Sequence, residues 1–328
     1  MLSLPLIAIC LSAVACGAYR YAALHWRILD QPNHRSSHAT PTPHGGGLPM
    51  MLALCATALV AVLTGWDIGG NYLWLLAIAM GLVVVGVVDD IQGLPVRVRL
   101  AIYLLACLLA LPLALGAPGT WPPAIWWASP LLLVGLLWLV NLYNFMDGID
   151  GLAATQCILA AGTAALLVLL GGGDAGYALA CLSLAGVHAG FLAWNWPPAR
   201  LFMGDAGSVS TGFLLGALAL LGAGQGALPL ACWLILLAGF ITDASVTLLW
   251  RACTGQDIAS PHRLHAYQRL SRVFGGHRPV VFLLLGLHLI WLAPLATLAA
   301  SFPEISSYLV ILAYIPLLPG MAKALRLG

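Results

Sequence analysis

Three short stretches carry residue types suited to phosphate and a divalent cation. Asp89 and Asp90 stand together in GVVDDIQGLPVRVRL, and Asp205 follows Gly204 in FMGDAGS. Between them, Asn141, Asn144, Asp147 and Asp150 recur every three residues in NLYNFMDGIDGLA. Adjacent carboxylates on a helix point in different directions, so one can bind metal while its neighbour handles a proton. The C-terminal end of a helix is electrically negative, and two acids placed there call for a compensating cation. Gly204 to Ser208 offers an acid beside free backbone N–H groups at the start of an apolar run. That arrangement can hold a metal carboxylate next to phosphate oxygens.

Two further segments add positive charge. Residues 251–278 contain SPHRLHAYQRL, with Arg251, Arg263, Arg269, Arg272 and Arg278 beside His262, His265 and His277. Arginine suits bidentate phosphate binding, and histidine serves as cation or hydrogen-bond donor. The segment DQPNHRSSHATPTPHGGGL brings Arg35, His38 and His44 into Gly45-Gly46-Gly47, a flexible approach to phosphate.

The elements that position these residues are helices in a membrane. Hydrophobic residues make up 62% of the 328 and charged residues only 7%, which excludes an ordinary soluble domain. Apolar runs lie near 2–20, 46–66, 71–88, 98–116, 129–146, 152–171, 175–194, 207–223, 227–249, 279–300 and 306–322. In lipid each must be helical, because exposed backbone has no water to bond. The expectation is an all-α, polytopic integral membrane protein of about 11 transmembrane helices, forming one membrane-embedded domain over 1–328. With the N-terminus outside and the C-terminus cytoplasmic, all thirteen Lys and Arg fall on one face. That face is then cytoplasmic, and the opposite loops carry only Asp67, Asp174 and Glu304. Eight of the eleven carboxylates share the basic face: Asp30, Asp89, Asp90, Asp147, Asp150, Asp205, Asp243 and Asp257. Such clustering predicts a metal-dependent site for anionic substrates at the membrane surface. The eight cysteines are scattered without a CxxC pair and read as helix-packing residues.

At these residues the chain resembles the polyprenyl-phosphate N-acetylhexosamine-1-phosphate transferases, the glycosyltransferase family 4 enzymes, from Asp30 to Arg272. Members closest in pattern initiate O-antigen. The resemblance implies transfer of a sugar-1-phosphate from a UDP-N-acetylhexosamine to undecaprenyl phosphate, with release of UMP. It implies Mg²⁺, with Mn²⁺ as a substitute, and a bacterial inner membrane with the active site facing the cytoplasm. By motif, Asp89 matches the acid proposed to deprotonate the lipid phosphate, and Asp90 its neighbour near the metal. Asp205 matches the metal-binding acid; Asn144, Asp147 and Asp150 match the NxxDGxDG motif that holds nucleotide and phosphates. Asn195 stands ten residues before Asp205, as the family's nucleotide-contacting Asn does. Arg263 and His265 match an RxH in the basic loop, and His38 a polar residue before the Pro-rich turn. The implied roles are therefore catalytic for Asp89, Asp90 and Asp147, and metal-binding for Asp205 and Asp90. Substrate binding falls to His38, Asn144, Asp150, Asn195, Arg263 and His265.

The chain departs from the GlcNAc-specific pattern by reading Ala266-Tyr267-Gln268 where a further His pair often follows. That version resembles transferases using 6-deoxy sugars such as FucNAc or QuiNAc. Direct attack by the lipid phosphate competes with a covalent phospho-sugar on an aspartate. The runner-up function is a transporter or flippase for a lipid-linked sugar, and a scaffold subunit is a third reading. The absence of repeats and of paired broken segments speaks against transport. Apolar outer helices permit a homodimer.

Overall fold

The computed structural model describes residues 3–31, 40–116, 123–257 and 262–324. Apolar sequence becomes helix almost throughout. The long helices are α1 (Ser3–His25), α3 (Gly70–Gln92), α4 (Val96–Leu115), α5 (Pro123–Phe145), α6 (Leu152–Leu170), α7 (Ala175–Asn195) and α8 (Asp205–Gln225). Two more long segments close the bundle, Arg278–Ser301 and Pro303–Ala324. Among the described residues these nine are long and apolar enough to cross a membrane. A tenth, α2 (Gly47–Leu63), has 17 residues, shorter than the ~20 that span a typical bilayer upright.

The ninth apolar run, 227–249, is not one straight helix. It divides into α9 (Leu230–Leu236) and α10 (Ala238–Cys253), which meet at 68°. A break at that depth frees backbone carbonyls that lipid cannot satisfy. Gln156 of α6 reaches across and donates its amide to the Leu236 carbonyl at 3.0 Å. Among the described residues strand is limited to a two-residue antiparallel bridge, β1 (Leu29–Asp30) with β2 (Thr42–Pro43), pairing Leu29 with Pro43 and Asp30 with Thr42.

Helix α8 is the central post, with every residue from Ala206 to Gly222 buried. It tolerates neighbours on all sides because its surface is Gly, Ala, Ser and Leu, and small residues let helix backbones approach closely. A methyl on Gly86 of α3 would overlap the Ala206 backbone, and one on Gly212 would lie 2.8 Å from the Leu139 carbonyl of α5. A methyl on Gly47 of α2 would likewise overlap Gly207. Helices α2, α3 and α5 thus converge on the first turns of α8, which is where the sequence places Asp205.

Candidate active site

The polar stretches meet at one end of the bundle, around the N-terminus of α8. Asp89 and Asp90 sit in the last turn of α3, and the expected divergence of their side chains is observed. The Asp89 carboxylate turns toward α4, accepting from the Leu94 N–H at 2.6 Å and from the Arg99 guanidinium at 2.7 Å. Asp90 turns toward α8 and accepts from the Asp205 N–H at 3.1 Å, with His44 Nε2 at 3.5 Å from the same oxygen. The cation that the helix dipole demands near these acids is therefore supplied for Asp89 by Arg99. The same guanidinium nitrogen lies 3.5 Å from Asp205.

Asp205 is oriented from α5. Asn144 donates one amide group to Asp205 Oδ1 at 2.8 Å and to Ser208 Oγ at 2.9 Å. Gly204 makes this approach feasible: its φ is +74°, and a Cβ there would stand 2.7 Å from Asp90 Oδ2 and 3.0 Å from the His44 ring. Asp147, one turn beyond Asn144, differs from the others because its carboxylate has no hydrogen-bond partner among the described residues. Burial, and then Asp205, Asp90 and Asp150, push Asp147 well above the usual carboxylate range.

Four carboxylates thus face one guanidinium and one imidazole, an excess of negative charge that a cation would relieve. No three His, Cys or carboxylate groups among the described residues are arranged to hold a metal ion by themselves. The donor set is Asp90 and Asp205, with the unpartnered Asp147 beside them. Mg²⁺ commonly takes one or two protein carboxylates and completes its shell with water and phosphate, so this open, all-oxygen set fits it.

The match to protein families agrees with this geometry. The model for glycosyl transferase family 4 aligns with residues 72–223, which contain Asp89, Asp90, Asn144, Asp147, Asp150, Asn195 and Asp205. A decaprenyl-phosphate N-acetylglucosaminephosphotransferase of Mycolicibacterium smegmatis is 31% identical over 323 residues, covering 88% of this chain and 78% of the relative. This chain belongs to glycosyl transferase family 4. A probable undecaprenyl-phosphate N-acetylglucosaminyl 1-phosphate transferase of Bacillus subtilis is 28% identical over 270 residues, 78% of this chain and 73% of the relative. A phospho-N-acetylmuramoyl-pentapeptide-transferase of a Synechococcus species is 35% identical over 250 residues, 67% of each chain. The protein is a membrane-embedded transferase.

The other residues assigned from sequence make contacts of their own. Asp150 accepts from the Ala199 N–H at 3.0 Å and stands 3.1 Å from His277 Nδ1. Both belong to the lining of a cavity of about 610 Å³ that also includes Thr40, Phe202 and Arg278. Asn195 is buried, and both ends of its amide are engaged by backbone: Gly151 N–H at 2.8 Å and the Leu201 carbonyl at 3.0 Å. It ties the Asp150-Gly151 turn to the segment leading into α8. Gly151 accepts this turn with φ +76°.

In the basic loop, Arg263 borders a second cavity of about 370 Å³ with Arg272 and His277. His265 faces inward, buried, with its Nδ1 3.2 Å from Asp243. The sequence grouped Asp243 with the acids of the site, but the structure sets it apart. Its carboxylate accepts from the N–H groups of Ala266 and Tyr267, capping α11 (Ala266–Val273). His262 is neutral rather than cationic: burial, then His265 and Arg251, lower it to about 4. His38 lies outside the described residues.

Arg99 was not assigned a role from sequence, and His44, Ser208 and His277 entered only as members of their segments. For Arg99 a signal existed, since Arg97 and Arg99 stand in the first turn of α4, where the helix dipole disfavours cations. A basic residue at the wrong helix end, ten residues after an acid at the wrong helix end, points to a pair.

Proposed function

We propose that this transferase moves an N-acetylhexosamine-1-phosphate from a UDP-sugar to undecaprenyl phosphate, releasing UMP. The observation that carries the reading is the gathering of Asp90, Asp147 and Asp205 beside Arg99 at one end of an apolar bundle. Two anionic substrates must meet for phosphate to attack a diphosphate, and such transfer depends mainly on positioning and charge neutralisation. Bound Mg²⁺ would neutralise the diphosphate and the departing UMP, held by Asp90 and Asp205 with Asp147 at hand. Arg99 supplies a fixed positive charge at the same point. Asn144 holds the orientation of Asp205, and His44 stands over Asp90. Lipid phosphate is already largely ionised at neutral pH, so a strong base is not required of Asp89. Its pairing with Arg99 and Leu94 suits it to fixing the guanidinium instead. Direct attack by the lipid phosphate is the simpler course.

The positive-inside asymmetry supports a reading in which this end of the bundle faces the cytoplasm at a bacterial inner membrane. The relatives are named for GlcNAc or phospho-N-acetylmuramoyl-pentapeptide transfer. Ala266-Tyr267-Gln268 in the basic loop instead favours a 6-deoxy N-acetylhexosamine of the FucNAc or QuiNAc kind, as in O-antigen initiation. The test is UMP release by purified protein given undecaprenyl phosphate, Mg²⁺ and a panel of UDP-N-acetylhexosamines. Release that requires both lipid and metal establishes the reaction and ranks the donors. A well-folded preparation that releases no UMP with any donor refutes it in favour of transport.

A further inference from the structure

We infer that Asp243 and Tyr267 form a clamp that sets the position of Asp147, making both positioning residues for the transfer reaction. The inference rests on the proposed function, on its reaction for the kinetic readout and on its cation site for the Mn²⁺ readout. Asp243 is a carboxylate 1% exposed inside a helical bundle, and the carboxylate cluster does not use it. Its backbone partners all stand at the start of α11. Its Oδ1 accepts from the Ala266 N–H at 2.9 Å and lies 3.2 Å from both His265 Nδ1 and Thr247 Oγ1. Its Oδ2 accepts from the Tyr267 N–H at 2.9 Å.

The consequence is the placement of the Tyr267 side chain. Its hydroxyl, on a residue 4% exposed, donates to the Phe145 carbonyl at 2.8 Å. A methyl on Gly148 would overlap that hydroxyl. The ring of His265 stacks on Phe145 with centroids 6.3 Å apart. The clamp therefore grips residues 145 and 148, and Asp147 lies between them. Among the described residues no hydrogen bond fixes the Asp147 carboxylate, so its location follows from its backbone. A buried acid left to cap an eight-residue helix would be a costly choice if only helix stability were at stake, since apolar packing replaces buried charge without loss in many proteins. Its use here couples the basic loop to the acid that has spare coordination capacity.

The experiment compares Tyr267→Phe, Asp243→Asn and the double variant in lipid nanodiscs. The readouts are Mn²⁺ binding by electron paramagnetic resonance, kcat, the KM for undecaprenyl phosphate, and the thermal midpoint. Tyr267→Phe removes one hydroxyl from a protein that otherwise packs as before. It should weaken Mn²⁺ binding several-fold and lower kcat about tenfold, since misplacement of a catalytic group by a fraction of an ångström is felt in rate. The KM for undecaprenyl phosphate and the thermal midpoint should stay near wild type. The double variant should fall no further than the worse single variant, because the two residues act through one contact. Wild-type Mn²⁺ binding and kcat in Tyr267→Phe would overturn the clamp, as would losses that multiply in the double variant. If Asp243→Asn does not fold, Tyr267→Phe alone decides. A wild-type protein that releases no UMP defeats the functional reading, while the Mn²⁺ titration still tests the clamp.

Discussion

Arg99 donates to Asp89 at 2.7 Å across the turn between α3 and α4, joining a basic residue at one helix start to an acid at the preceding helix end. The Asp89 side chain is 6% exposed and that of Arg99 29%, so removing the guanidinium strands a nearly buried carboxylate. Arg99→Ala should cost about 2 kcal/mol, the order expected for an unpaired buried charge with a backbone N–H still in place. Asp89→Asn added to Arg99→Ala should recover most of the lost thermal midpoint. Turnover should stay at least about a hundredfold down in both, because the fixed charge near Asp205 is absent. Recovery of turnover together with stability would mean that Arg99 acts only as a structural partner.

Asp147 should make the metal-free protein less stable as pH rises. Its folded pKa is raised from the ordinary 3.8, so the folded state holds a proton that the unfolded chain releases. Stability is then full below about 3.8 and declines upward through the raised folded value. Asp147→Asn removes this dependence. In EDTA its advantage in thermal midpoint over wild type should grow from pH 4 toward neutrality, while transfer is abolished. Adding Mg²⁺ should stabilise wild type at neutral pH more than it stabilises Asp147→Asn, which keeps Asp90 and Asp205. Parallel pH curves for the two proteins would show that Asp147 does not titrate in this way.

Polar residues in an apolar chain are conspicuous, which is why so much of the site could be read before any fold was known. Asp89, Asp90, Asn144, Asp147 and Asp205 interrupt hydrophobic runs near their ends, and the structure brings all five together around the start of α8. Identity of type did not reveal what each polar group would contact. Asn195 and Asp243 look like site residues by composition, yet the amide of one and the carboxylate of the other are taken up by backbone N–H and carbonyl groups. Apart from the Leu201 carbonyl, six residues beyond Asn195, those contacts come from segments 23 to 44 residues away, beyond the reach of local periodicity. The break at Leu237 was hidden for the same reason. Its freed carbonyl is satisfied by Gln156, 80 positions earlier, and no Pro marks the bend.

His262 should oppose acid stability rather than serve as a phosphate-binding cation. Its pKa falls from 6.5 to about 4 in the folded protein, and its Nδ1 accepts from the Leu264 N–H at 3.4 Å, as a neutral ring can. The unfolded chain binds the proton more readily, so the contribution to stability is present above 6.5 and is lost as pH falls toward about 4. His262→Gln should flatten the melting curve across that window. The KM for the UDP-sugar should be unchanged between pH 6.5 and 8, where wild-type His262 carries no charge. A KM that rises in the variant across that range would restore His262 to the substrate.

Gly204→Ala should separate the fold of the site from its chemistry. The residue sits at φ +74°, where a side chain is strained by roughly 1 kcal/mol or more. The added methyl would stand 2.7 Å from Asp90 Oδ2, forcing that carboxylate or the start of α8 to shift. Since Asp90 accepts from the Asp205 N–H at 3.1 Å, either movement pulls apart the two acids best placed to share a cation. The expected result is a loss of kcat of about a hundredfold or more, with Mn²⁺ binding weakened in step and helix content unchanged by circular dichroism. Binding of undecaprenyl phosphate, measured by fluorescence of a labelled analogue, should survive. Intact Mn²⁺ affinity in Gly204→Ala would place the cation away from Asp90 and Asp205, and would count against the carboxylate pair as its seat.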